Sequence, residues 1–449
     1  MHQNTGDQKL QIKEPPTTIW GMLSNLGPSM ILSASIVGSG ELIMTTTLGA
    51  QAGFVALWII VLSCLVKVCV QLEFGKHAIY SGETAITSLN RLPGLKIFRI
   101  HWSIWIWFIV QLVIVLQYGG IADAISQAGG VALPALPAWS WIVAAGLTTA
   151  LLVAIGYYEL IQGVSVGLIA IFTFFTIVCV AMLHSTPFSI TTSDLVEGFS
   201  FQLPRAALGA AVAAFGLTGV GATEIITYPY WCLEKGYAAF TGPFEKTEEW
   251  TNRAKGWIRV MYWDSVLSMV IYTVVTMAFY VLGAAVLHGQ GEVPGGVGMI
   301  LTLSEIYTET AGSQVMMLYI IGAIVVLYST LFSGTAAWTR LFSDFWAQIE
   351  NVDYNDANNW KKKIAILGIG IPIAWTVTGL LMTEIPVVLV MAGGIANAIL
   401  LFVVIYAAFI FRYKYLTESL KPTVIYDIIL WISFISIAGV GILALSKLF

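Results

Sequence analysis

Apolar runs recur along the whole chain, separated by short polar stretches. Runs of about 20 residues are long enough for a helix rising about 1.5 Å per residue to cross a hydrocarbon core of about 30 Å. Eleven runs are legible, at roughly 20–50, 54–80, 101–126, 138–156, 163–183, 205–240, 257–288, 313–346, 362–382, 386–411 and 425–446. The first and sixth are interrupted by glycines and a glutamate. One interruption reads Ile36-Val37-Gly38-Ser39-Gly40-Glu41-Leu42-Ile43, the other Gly221-Ala222-Thr223-Glu224-Ile225-Ile226-Thr227-Tyr228-Pro229. A backbone group left unpaired in lipid is costly, so a broken span is tolerated only where the freed groups face protein, water or a ligand. The pattern predicts an all-α polytopic membrane protein of eleven transmembrane helices, the first and sixth broken.

Spans one to five and six to ten each begin with a broken helix. An odd number of spans per half places the halves in opposite membrane orientations, the plan of an inverted repeat with its binding site at the midplane. This divides the chain into a tail at 1–17, a core at 18–411 made of repeats at about 18–183 and 205–411, and a loop with the eleventh helix at 412–449. Short cytoplasmic loops collect lysine and arginine. With the N-terminus cytoplasmic and the C-terminus outside, 18 of the 21 basic residues fall on the cytoplasmic side, and only Lys67, Arg205 and Lys447 do not. A missed span would reverse every later loop, so the agreement supports the count. The expected outer loops carry acids such as Asp194, Glu197, Glu292, Glu305, Glu309 and Glu384, and read as ordinary solvated loops.

Composition narrows the class further. With 58% hydrophobic and 10% charged residues and a mean hydropathy of +0.83, the chain has too few charges to clothe a soluble surface. Residues 1–17 are polar and show no cleavable signal. A formal net charge of -4 gives no reason to expect a nucleic-acid partner. Neither a phosphate-binding loop nor a nucleophile with base and orienter is present, so the chain does not read as an enzyme. Cys64, Cys69, Cys179 and Cys232 lack disulfide or metal spacing and read as small hydrophobes in helix packing.

The candidate chemistry lies at the two breaks. Gly38 and Gly40 let backbone amides and carbonyls approach a ligand, and Ser39 lies between them. Carbonyls ending a half-helix favour cations and amides starting one favour anions. Glu41 adds a carboxylate, as Glu224 does at the second break, where the carbonyls of Gly221 and Ala222 and the hydroxyls of Thr223 and Thr227 are also available and Pro229 suits a helix restart. Oxygen donors alone suit hard ions such as Mg²⁺, Mn²⁺ or Ca²⁺. The competing reading makes both glutamates caps of their half-helices, satisfying backbone donors.

The residues in order resemble the Nramp family of divalent-metal transporters, which have a LeuT-type fold. Gly27-Pro28 precedes the first break, Gln71 and Gly82 match the second span and its exit, and Gly156-x-Tyr158 marks the turn before the fifth. Gly221-Ala222-Thr223 leads into the sixth, and Arg259, Asp264 and the run Val281 to His288 belong to the seventh. The resemblance covers essentially all the spans and implies a 5+5 inverted repeat. It also implies a metal-binding role for the carbonyl of Ala222.

Where the family has Asp-Pro-Gly-Asn, this chain has Gly38-Ser39-Gly40-Glu41; where it has Met-Pro-His-Asn, this chain has Ile225-Ile226-Thr227-Tyr228. Loss of the thioether argues against soft-metal selectivity. The third span has Gln111, Gln117 and Tyr118 where the family places acids, and its only carboxylate, Asp123, lies toward one end, which suggests uniport over proton symport. The expected ligands are therefore Glu41, Glu224, Thr227 and Thr223 with the carbonyls of Val37 and Ala222. Asn397 is a tenth-span contact, Asp264 with Arg340 a charge-paired cytoplasmic gate, and Lys67 a lone base facing the bundle or snorkelling. No cofactor is expected beyond the divalent cation as cargo, and the partners are that ion and the bilayer, in the plasma membrane of a prokaryote, with the oligomeric state open. Two other functions fit the breaks: a carrier of a small organic solute such as an amino acid or amine, and a non-transporting membrane sensor.

Overall fold

The computed structural model describes residues 12–29, 36–155, 158–352, 354 and 357–445. Most of the expected 1–17 tail, residues 30–35 of the first span, Gly156 of the turn motif and Lys447 lie outside the described residues. The membrane helices are α1 (Gly40–Thr45 continuing as Thr46–Ala52), α2 (Leu57–Ser81), α3 (Trp102–Ala132), α4 (Ala138–Ile155), α5 (Tyr158–Met182), α6 (Leu208–Leu217) and α7 (Ala222–Lys235). They continue as α8 (Glu248–Leu282), α9 (Met316–Glu350), α10 (Ala357–Leu381), α11 (Pro386–Ile410) and α12 (Val424–Leu445). Among the described residues, nine helices are long and apolar enough to cross a membrane. The only strands among them are the two-residue hairpin Lys96–Ile97 and Ile100–His101, outside the spans.

Two packed groups make up the bundle. In one, α2 lies against α7, α8 and α12, while α1 packs on the end of α8; in the other, α3, α4, α9 and α10 pack together. Helix α11 joins them, lying against α3, α6 and α12. The sequence explains which helices are central. The most apolar windows of Gly40–Ser81 and Arg205–Lys235 are 72% and 78% buried, those of α4, α10 and α12 only 28%, so the broken segments form the core and the uniformly apolar helices face lipid.

Contact between α6 and α11 requires glycine on both sides. A Cβ on Gly216 would lie 1.9 Å from the Gly394 carbonyl oxygen, and one on Gly394 would lie 2.6 Å from that of Ala213. Small residues let helix backbones approach this closely where lipid supplies no hydrophobic drive.

Candidate functional site

Each break has a local cause. In the first, the chain turns at Val37 and Gly38 and begins α1 with one π-helical turn, Gly40–Thr45. The hydroxyls of Thr45 and Thr46 donate to the carbonyls of Gly40 and Glu41 at 3.1 and 3.3 Å, five residues back, which accommodates the wider turn. In the second, α6 stops at Leu217, Thr218 is extended, Gly219 has φ +62°, and α7 starts at Ala222 with Gly221 as its N-cap. A side chain at Gly219 would be strained in this left-handed conformation. The break therefore lies at 218–221, before the stretch expected from the sequence. Ala222, Ile225, Thr227 and Tyr228 are helical and buried, and Pro229 sits inside α7 instead of restarting it.

The shift in register changes which groups are free. The Gly221 carbonyl accepts from the Ile225 amide at 2.9 Å, and the Thr227 hydroxyl donates to the Thr223 carbonyl at 2.8 Å, so both serve the helix instead of a ligand. At the first break the Gly38 carbonyl accepts from the Leu42 amide at 3.0 Å. The Tyr228 hydroxyl is bonded with Ser29 and Ser265. Val37 is buried beside the first break.

The breaks meet at Gly40, where a Cβ would lie 3.3 Å from Cβ of Leu217. Beside this crossing is a cavity of about 30 Å³ bounded by Ile36, Ser39, Gly40, Ile114, Gln117, Tyr118, Leu217, Thr223, Glu224, Thr330, Trp338 and Asn397. About 10–15 Å³ suffices for one water, so the space suits a single ion or a water or two. Glu224 is the one carboxylate among these residues. A Cβ on Gly221 would lie 2.4 Å from its Oε2, so the glycine leaves room for the carboxylate. Thr223 donates its hydroxyl to Asn397 Oδ1 at 3.0 Å and accepts from Gln111 Nε2 at 3.4 Å. Asn397, the expected tenth-span contact, borders the cavity and is bonded to Thr223. Gln117 Oε1 is buried with no hydrogen-bond partner, and Tyr118 stacks on Trp338 with ring centroids 4.5 Å apart. The sequence signalled Gln117 and Tyr118 as polar positions in an apolar span, and Thr330 with Ser329, Ser333 and Thr335 as a stretch of hydroxyls in the eighth that either bond the carbonyl four residues back or face a pathway; nothing in it pointed to Trp338 over its neighbours.

Glu41 is fully buried and does not border the cavity. Its Oε2 accepts from the Gly38 amide at 3.1 Å and its Oε1 from the Thr276 hydroxyl of α8 at 3.3 Å. It thus latches the first break to α8, the capping alternative. Glu41→Ala is expected to lower thermal stability in detergent by about 1–3 kcal/mol, because it leaves buried donors unpaired.

Asp264 and Arg340 do not form the expected gate with each other. Asp264 accepts from the amides of Gly27 and Ser29 at 2.9 and 2.6 Å, holding the start of the first span. Arg340 forks onto Glu234 at 2.5 and 3.1 Å and lies over Trp231. Tyr230 donates to Asp344 at 2.6 Å beside it. These contacts lie next to a second cavity of about 740 Å³, bordered by Tyr230, Glu234, Glu83, Arg91 and Gln348 among others. Buried Ile225 to Tyr228 separate it from Glu224 along α7, so the two cavities are not continuous along this helix. Arg340→Ala is expected to loosen these contacts, read as faster labelling of Cys232, which is buried and free, by a small thiol reagent.

Two broken helices crossing beside a small cavity inside an all-α membrane bundle define a LeuT-type transporter fold. A family model described as natural resistance-associated macrophage protein-like matches residues 29–447, and the chain belongs to the Nramp family. An uncharacterized protein of Pasteurella multocida is 25% identical over 328 residues, covering 70% of this chain and 69% of that protein. Among solved structures, the manganese transporter of Eremococcus coleocola, complexed with an aromatic bis-isothiourea substituted compound, has a TM-score of 0.69 at 16% identity, with 98% of this chain and 90% of that one covered. MhsT in complex with L-phenylalanine has a TM-score of 0.58 at 16% identity, covering 96% and 100%. These two likenesses concern the fold. Membership of the family and the apolar helices make the chain an integral multi-pass membrane protein.

Proposed function

We propose that this Nramp-family chain moves a divalent metal cation across the membrane, holding it in the small cavity between the two breaks. The observation that carries the reading is the placement of Glu224, the one carboxylate on a cavity sized for an ion, at the crossing of both broken helices. Gln117 Oε1 is an acceptor without a hydrogen-bond partner among the described residues, and Tyr118 adds a hydroxyl; Thr223, Thr330 and Asn397 border the cavity with oxygens already bonded to Asn397, the Val326 carbonyl and Thr223. Among the described residues no cysteine, methionine or histidine borders this cavity. That set favours Mg²⁺, Mn²⁺ or Ca²⁺ over softer ions. The manganese transporters of the same fold are consistent with it.

The third span offers Gln111, Gln117 and Tyr118 near the site, and its one carboxylate, Asp123, does not border the cavity, which supports uniport over proton symport. The basic loops support a cytoplasmic N-terminus and location in a plasma membrane. Carriage of an organic solute fits less well, because sites for drug-sized ligands run to about 300–1,000 Å³.

The test is isothermal titration of the purified protein with Mg²⁺, Mn²⁺ and Ca²⁺, with Glu224→Gln and Glu41→Gln in parallel. Binding to wild type that is lost in Glu224→Gln and kept in Glu41→Gln is the expected outcome. Heat from none of the ions with wild type would remove the proposal.

A further inference from the structure

The carbonyls freed by the second break already have a cationic partner. The Lys67 ammonium, from the middle of α2, donates to the carbonyls of Phe215 and Thr218 at 2.6 and 2.5 Å. Its side chain is fully buried, and the Phe215 ring lies 5.1 Å from Nζ. One turn earlier on α2, the Ser63 hydroxyl lies 3.2 Å from each of the same two carbonyls and 2.9 Å from the Thr218 hydroxyl. Two carbonyls and two hydroxyls therefore converge where α6 ends. Such half-helix ends, with their unwound carbonyls, are where secondary transporters coordinate monovalent coupling ions.

We propose that Lys67 is a resident cation: its ammonium occupies a monovalent-cation site at the broken sixth span, and removing it creates a site for Na⁺ or K⁺ there. Two observations separate this from a mere helix brace. The hydrogen-bond partners of the Lys67 ammonium are the two carbonyl oxygens that the break frees, and the Ser63 hydroxyl faces the same pair, so the location concentrates partial negative charge. A buried ammonium in lipid also needs such compensation, and a neutral donor would have held the same carbonyls at less cost. The nitrogen that fills the site is covalently tethered and cannot leave it. It follows that no Na⁺ or K⁺ gradient can be coupled through this site in the natural protein.

The inference rests on cation transport for its kinetic consequence, but a binding measurement tests it separately. Purified wild type, Lys67→Ala and Lys67→Met are melted in NaCl, KCl and choline chloride at equal ionic strength. The expected result is no difference among the salts for wild type and a stabilisation by Na⁺ or K⁺ over choline for the variants, since an ion that binds only the folded state raises its melting temperature. The methionine variant keeps the apolar stem should the alanine variant not fold. In proteoliposomes, Mn²⁺ uptake by wild type should be the same in the three salts, and variant uptake should become at least about five-fold faster in the ion that binds, a common size for coupling between sites. Variants that melt identically in all three salts, or wild type that is itself stabilised by Na⁺ or K⁺, would overturn the assignment. Absence of Mn²⁺ uptake by wild type with the melting result intact would strike the transport reading alone.

Discussion

Glu224→Gln is expected to eliminate saturable divalent-cation uptake while leaving the protein folded. Glutamine has nearly the same shape, so the space made by Gly221 and the packing at the crossing are kept. What is lost is the cavity's one negative charge among the described residues. Two unit charges about 4 Å apart attract by about 4 kcal/mol at an effective dielectric near 20, and a divalent ion doubles the attraction. Dehydrating the ion offsets part of it, but each 1.4 kcal/mol or so retained is about tenfold in affinity. A fall in affinity of at least about a thousand-fold is therefore expected. Initial rates of Mn²⁺ uptake into proteoliposomes over a wide concentration range would show it. Normal uptake by this variant would place the cargo elsewhere. The same experiment on Glu41→Gln should show near-normal rates, because that carboxylate is spent on the Gly38 amide and Thr276.

Gly216→Ala is expected to be the most damaging of the conservative substitutions to stability. The added methyl would stand 1.9 Å from the Gly394 carbonyl oxygen and 3.0 Å from the Ala398 amide nitrogen, both backbone atoms. Neither can swing aside as a side chain would, so α6 and α11 must separate. Overpacking a close-packed interior costs about 1–3 kcal/mol and sometimes more, and here the displaced helix also carries the second break. Loss of monodisperse protein on size exclusion, or a strongly lowered melting temperature, would register the effect. Gly370→Ala is the control, since a Cβ there meets nothing within 4 Å.

Several features of the site were legible in the sequence. Long apolar runs gave the helical membrane class, because in lipid every backbone donor and acceptor must pair within its own segment. Charged, glycine-rich interruptions gave the two breaks for the same reason. Asn397 and the polar positions of the third span also stood out, as amides in otherwise apolar helices.

The exact register of the second break did not. Gly221-Ala222-Thr223-Glu224 looks locally like the interruption, yet the chain unwinds at Thr218 and Gly219. Gly219 permits the turn, and contacts from far along the chain brace it: Lys67 and Ser63, some 150 positions earlier, hold the carbonyls of Phe215 and Thr218. The Asp264 and Arg340 pairing failed similarly, because each found a closer partner on another helix, Gly27 with Ser29 for the one and Glu234 for the other.

The two glutamates show where the division falls. Both sit three residues after a glycine at the start of a half-helix, Gly38 to Glu41 and Gly221 to Glu224, and the sequence by itself determined that each would be a carboxylate folded toward a break. Only the tertiary structure decided that α8 brings Thr276 against Glu41, while α3, α9 and α11 leave a gap beside Glu224. A backbone break is a local event, written in the residues that make it. Which charge is sealed and which remains open to an ion depends on helices that meet only after the chain has folded.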